Sequence, residues 1–265
     1  MVPSRASVIL DAILAAILVL LLTGCQGQLV LRPEDLEEGL VIVLPGIDGR
    51  MPYNEAACRT LCDDGVAAAV ELRDWTAPLG PLYNQSAVLR NREVASFLAA
   101  RIRSYQRAYP GRRVFLIGHS GGTAIAVWAA EALPPGSEVD GIILLGSSLS
   151  PGYDLSRALA RSREGIVSFH SDLDGGLLGI GTILFGTMDG LHTVSAGKVG
   201  FRPPPGADGS GQYAKLFQIA WQPSMLKDGH GGGHFDYMGP SFLSARVGPL
   251  LRQPAWDPRL IAGVR

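Results

Sequence analysis

"RVFLIGHSGGTAIAVWAAEAL", Arg113 to Leu133, is the stretch on which the fold turns. Arg113 to Ile117 is apolar almost throughout and reads as a strand buried on both faces. Gly118-His119-Ser120-Gly121-Gly122 follows at once, and Gly122 to Leu133 then reads as a helix stopped by Pro134-Pro135. A serine set between a strand and a helix, with glycine two positions before and two after, is the G-x-S-x-G pattern of a nucleophile elbow. The turn holds the serine in a strained conformation with its oxygen presented. The flanking positions must be small because strand and helix backbones pass close there. The helix N-terminus supplies N–H groups and a dipole that favour negative charge.

Outward from this stretch the same rhythm repeats. Leu40–Leu44, Ala67–Leu72, Gly141–Leu145, Gly165–Phe169 and Lys215–Trp221 read as strands. Asn54–Asp63, Asn91–Tyr109, Leu155–Ser162 and Ser241–Leu251 read as helices. Apolar strands alternating with helices predict an α/β fold: a doubly wound, mostly parallel sheet with helices on both faces. Two segments break the rhythm, Gly175–Gly200 and the Pro/Gly loop Arg202–Gln212.

The chain opens with Arg5, an apolar run from Ala6 to Leu22 interrupted by Asp11, and then Leu22-Thr23-Gly24-Cys25. A basic start, an apolar core and small residues at a cut are the marks of a secretory signal. The ending resembles the bacterial lipobox, which implies cleavage before Cys25 and lipidation of that cysteine; an uncleaved signal anchor is the plainer alternative. Gln26 in place of aspartate favours an outer-membrane anchor, so the expected address is the cell envelope, facing the periplasm or exterior. The expected organisation is a signal peptide over 1–24, a short tether over 25–39 and one domain over 40–265. The formal net charge of −1 gives no reason to expect a nucleic-acid partner. Cys58 and Cys62 lie four apart on a predicted helix. An oxidising compartment permits a disulfide between them. Two small buried side chains is the simpler reading, and no further cysteine pair suggests zinc.

From the elbow and the strand placement, over about Leu40 to Leu251, the chain resembles the α/β-hydrolase superfamily on its esterase and lipase side. That resemblance implies Ser120 as nucleophile and an oxyanion hole built from the N–H of Gly121 and a donor from "LPGIDGRM", Leu44 to Met51. The donor corresponds to Ile47. Pro45-Gly46 stands where the superfamily often has His-Gly. Asp48 is expected to point away from the oxyanion and cap the following turn. The acid should follow Gly165–Phe169, where "HSDLDGGLLG", His170 to Gly179, offers Asp172 and Asp174. The superfamily spacing and the adjacent Gly175-Gly176 favour Asp174.

The base should come from the loop after the last strand, "KDGHGGGHFDYM", Lys227 to Met238. Three readings compete there. His230-Gly231-Gly232-Gly233 spells a lipase oxyanion loop, but that loop belongs after an early strand. His230 and His234 could hold a metal on one helix face, but three intervening glycines cost about 1 kcal/mol each in a helix relative to alanine. As a base loop the stretch fits both position and chemistry. His234 is preferred because a short apolar stretch and a helix follow it, which leaves His230 a bystander and the glycines as slack. His119 is expected to line the pocket and His192 to lie in a loop. No metal or organic cofactor is expected.

The insertion contributes Leu177, Leu178, Ile180, Ile183, Leu184 and Phe185, either as a roof over an acyl chain or as a packed connection. The expected function is a serine hydrolase of carboxylic ester or related acyl bonds acting on a small or lipid-like acyl substrate. The alternatives are an acyltransferase or thioesterase using the same triad, and an anchored binding protein without activity.

Overall fold

The computed structural model describes residues 29–174, 185–207 and 211–264. The signal segment, Cys25 and most of the apolar insertion, including Leu177 to Leu184, lie outside the described residues. Among the described residues seven strands form one sheet in the order β1-β3-β2-β4-β5-β6-β7. They are β1 (Leu29–Leu31), β2 (Gly39–Leu44), β3 (Ala69–Leu72), β4 (Arg113–His119), β5 (Gly141–Leu145), β6 (Ile166–His170) and β7 (Leu216–Ala220). All neighbours pair in parallel except β1, which pairs antiparallel with β3. Leu29–Leu31 belongs to the segment 25–39 taken as a tether, and here it forms the sheet edge.

β2 and β5 are apolar throughout, and β4 nearly so, because both of their faces are covered. Leu40, Ile42 and Leu44 of β2 point into one core, with Val114 and Leu116 of β4. Val41 and Val43 point into the other, with Phe115 and Ile117. The first core is closed by α3 (Val88–Ala108) and α4 (Gly122–Glu131). The second is closed by α1 (Pro52–Asp63) and the C-terminal helices. In α3 the buried Val94, Ala95, Leu98, Ala99, Ile102 and Tyr105 recur at three- and four-residue spacing, the stripe that one-sided packing requires. α4 is buried on every side, so it lies inside the fold and its small alanines let it pack closely. A short helix α2 (Pro81–Ser86) precedes α3.

Several boundaries differ from expectation. The helix expected over Leu155–Ser162 is reduced to Ser156–Leu159. The final helix is present as expected but contains a π turn, running through Pro240–Phe242, Leu243–Val247 and Gly248–Arg252, and a further helix, Pro258–Gly263, follows. Cys58 and Cys62 are both free thiols; Cys58 is buried, which pushes its pKa up to about 12. Among the described residues no helix is long and apolar enough to cross a membrane.

Candidate active site

The C-terminal ends of β2, β4, β6 and β7 carry the residues singled out above. Ser120 follows β4 with φ at 52°, a left-handed conformation that among the described residues only one other non-glycine residue shares. Non-glycine residues avoid this region unless their surroundings enforce it. Here a Cβ on Gly118 would meet Thr123 Cα at 2.6 Å and Gly122 O at 2.7 Å, and one on Gly122 would collide with the carbonyls of Leu44 and Pro45. Thr123 locks the turn from the helix side, its hydroxyl donating to Ser120 O at 2.5 Å. Ser120 Oγ lies 3.4 Å from Ser148 Oγ, in the loop after β5.

Gly121 packs directly on the loop after β2. A Cβ there would meet Ile47 Cγ2 at 2.6 Å and stand 3.5 Å from Ile47 N, so the two expected oxyanion donors are neighbours. That loop is held by side chains with no sequence signature. Trp75 Nε1 donates to Pro45 O at 2.7 Å, and Asn84 Nδ2 donates to Ile47 O at 3.0 Å. Asn84 Oδ1 accepts from Ala77 N–H, and Asn91 Nδ2 donates to Asn84 O at 2.6 Å. All three side chains are buried. They fix the Ile47 peptide before any substrate arrives.

Asp174 is buried, and its Oδ2 accepts from His234 Nδ1 at 2.6 Å. This fixes the His234 tautomer, with the proton on Nδ1 and Nε2 left as the basic nitrogen. Asp172 is exposed and does not reach the imidazole. The turn that aims Asp174 is closed by Ser171, whose O accepts from Asp174 N–H at 3.1 Å and whose hydroxyl donates to Gly232 O at 2.8 Å.

The glycine loop is wound tightly instead of hanging slack. Gly231 and Gly233 N–H both donate to Asp236 Oδ2 at 2.9 Å. Gly232, at φ 94°, donates its N–H to His230 Nδ1 at 3.0 Å. His230 is no bystander: it is wholly buried, stacked edge-on against Tyr237 and Phe242, and its carbonyl accepts from Trp221 Nε1. Burial pushes its pKa down to about 4. Asp228, at the start of this loop, pairs with Arg246. Among the described residues no three His, Cys, Asp or Glu side chains gather as metal ligands would.

His119 is buried under the site and does not line its surface. Its Nε2–H donates to His234 O at 3.0 Å, and the two rings lie 4.9 Å apart. Burial first, then the neighbouring His234, lower its pKa to about 3, so it stays neutral. The elbow thus holds the His234 loop by its backbone. His192 is exposed in a loop, as expected.

With this sheet order and elbow the chain has an α/β-hydrolase fold. Residues 41–166 match a family model described as Alpha/beta hydrolase, a span that contains Ser120 and ends before Asp174 and His234. Among solved structures, lipase B of Aspergillus fumigatus is similar with a TM-score of 0.49 and 12% identity, over 85% of this chain and 57% of that one. An esterase of Pyrococcus furiosus is similar at 0.49 and 13%, over 81% of each chain. Est1E of Butyrivibrio proteoclasticus is similar at 0.45 and 11%, over 82% of this chain and 88% of that one. This chain therefore spans 57% of the length of the fungal lipase. No curated protein matches the sequence at a significant level.

Proposed function

We propose that this protein is a serine hydrolase that cleaves a carboxylic ester or related acyl bond through an acyl-enzyme. The observation that carries the reading is the 2.6 Å bond between Asp174 and His234, made across 60 residues, beside a serine at φ 52° on a strand-to-helix turn. Ser120 Oγ gives up its contact with Ser148, transfers its proton to His234 Nε2 and attacks the acyl carbon. Asp174 keeps the imidazole oriented and stabilises its charged form. The N–H groups of Ile47 and Gly121 receive the developing oxyanion, each donor contributing about 2.7–4 kcal/mol. His234 returns the proton to the leaving group, and a water activated by the same imidazole then releases the acyl group.

The same reading keeps the lipid anchor at Cys25, on the strength of Leu22-Thr23-Gly24-Cys25, and so places the enzyme at the cell envelope. A panel of p-nitrophenyl esters of increasing acyl length tests the activity. Turnover that vanishes in Ser120→Ala is expected. Equal turnover by the variant contradicts the proposal.

A further inference from the structure

Asp48 has no part in the chemistry just described, yet it does not turn away. Gly49 N–H donates to Gly46 O at 3.1 Å, so the turn closes through its backbone and not through the carboxylate. Asp48 Oδ2 accepts from the Tyr53 hydroxyl at 2.5 Å. Asp48 Oδ1 remains over the oxyanion loop. A Cβ on Gly46 would stand 2.7 Å from that oxygen and 3.4 Å from Ser120 Cβ. Carboxylate and nucleophile therefore face each other across the space of one missing side chain.

Through Tyr53, Asp48 adjoins a cluster of rings. The Tyr53 ring meets Phe235 edge-on at 5.6 Å and His119 at 6.3 Å. Phe235 directly follows His234, lies 5.4 Å from its imidazole and is 51% exposed, which is unusual for a phenylalanine with a core beside it. Among the described residues Asp48 takes part in no ion pair; Arg50, two positions on, is bonded to Glu55 at 2.8 Å. Burial and the Asp48 bond raise the Tyr53 pKa far above its usual range, so its hydroxyl stays a donor in this bond.

This patch lies on one definite side of the reaction. His234 hands its proton to the leaving group, so that half of the substrate sits on the His234 side of Ser120. The rings run from His234 through Phe235 to Tyr53 and end at Asp48. A carboxylate with one oxygen uncommitted, set beside aromatic rings, attracts a cation through its charge and through the ring quadrupoles, and repels an anion.

We propose that Asp48, with Tyr53 and Phe235 beside it, forms a cation subsite for the leaving group, so that the preferred substrates are esters whose alcohol part carries an ammonium or other cationic group. The inference rests on the serine hydrolase reading, and its test separates the two. Two methylphosphonate probes would be compared on the full chain, alike except that one leaves as 2-(trimethylammonio)ethanethiol and the other as 3,3-dimethylbutanethiol. With each, Ser120 Oγ forms the P–O bond, the P–S bond breaks, and the thiol departs with the proton that Ser120 gave up. The two leaving groups have the same shape and differ in charge and in thiol acidity, so each labelling rate is divided by that probe's own rate with hydroxide before the two are compared. The cationic probe is expected to label roughly three- to tenfold faster at low salt, with the advantage shrinking as salt rises. Asp48→Asn should bring the ratio of the two rates to about one, and Asp48→Glu should restore part of it. A loss of folding or of general activity slows both probes and leaves their ratio intact. Equal rates for the wild type, or a ratio unchanged in Asp48→Asn, overturns the subsite. Failure of both probes to label Ser120 overturns the hydrolase reading itself.

Discussion

Two carboxylates stood in reach of the base by sequence, two residues apart, and burial separates them: Asp174 is 3% exposed and bonded to His234, whereas Asp172 faces solvent. Asp174→Ala should lower kcat for a p-nitrophenyl ester by roughly 10³–10⁴-fold, while Asp172→Ala should stay within about threefold; equal losses contradict the assignment. His119 presents a second case. Its hydrogen bond reaches the backbone of His234 and not the reacting atoms, so it is a positioning residue. His119→Phe should lower kcat by about tenfold or more with little change in KM, since a displacement of about 1 Å can cost 10²-fold, and labelling of Ser120 should slow in proportion. The strained turn at Ser120 was legible in the sequence because an elbow imposes a local pattern of glycines. The placement of Ile47 beside Gly121 and of Asp174 beside His234 was legible from their positions after particular strands. Trp75 and Asn84 were not, because they act on backbone groups that only the fold brings to them, Pro45 O 30 residues away and Ile47 O 37 residues away.

Among the elements, the loop between β7 and the C-terminal helices decides whether His234 is in place. Its three glycines have different duties: Gly231 and Gly233 present their N–H groups to Asp236, and Gly232 adopts φ 94°. A Cβ on Gly232 would also press on the Leu173 side chain at 2.7 Å. Gly232→Ala should therefore destabilise the protein by about 1–3 kcal/mol and lower kcat more than tenfold, both read from thermal melts and ester turnover. Wild-type behaviour in both would show that the loop is the slack connection that sequence alone suggests. Most strands and long helices were legible because two covered faces make strands apolar throughout, and one covered face makes α3 striped. β1 escaped because three residues of a mixed segment carry no periodicity. Ser241–Leu251 was legible as a helix, which runs from Pro240 to Arg252 with a π turn inside it, whereas Pro258–Gly263 lies beyond the apolar pattern from which that helix was read.

For the whole molecule, the neutral buried histidines set an acid limit. Burial depresses the pKa of His119 to about 3 and of His230 to about 4, and lowers that of His170 as well. In the unfolded chain each would titrate near 6.5. Below that pH the unfolded state binds protons that the native state refuses, so stability is full above about pH 6.5 and falls as pH drops, by roughly 1.4 kcal/mol per pH unit for each histidine fully engaged. Tm should therefore decline between pH 6.5 and 4, and less steeply in His119→Phe; a flat profile contradicts this. The proposed anchor adds a geometric expectation. Three residues, Gln26 to Gln28, separate Cys25 from Leu29, the start of the sheet edge, a reach of at most roughly 14 Å over the four steps. Metabolic labelling with an alkynyl fatty acid should mark the chain and fail in Cys25→Ala, and persistence of the label in that variant contradicts the anchor. The claim on which all of this rests is that Ser120 is the nucleophile, and the most direct measurement is intact-protein and peptide mass spectrometry after treatment with a fluorophosphonate. A single adduct on the peptide containing Ser120, absent from a folded Ser120→Ala variant, is the predicted result. An adduct elsewhere, or one that persists in that variant, would contradict it.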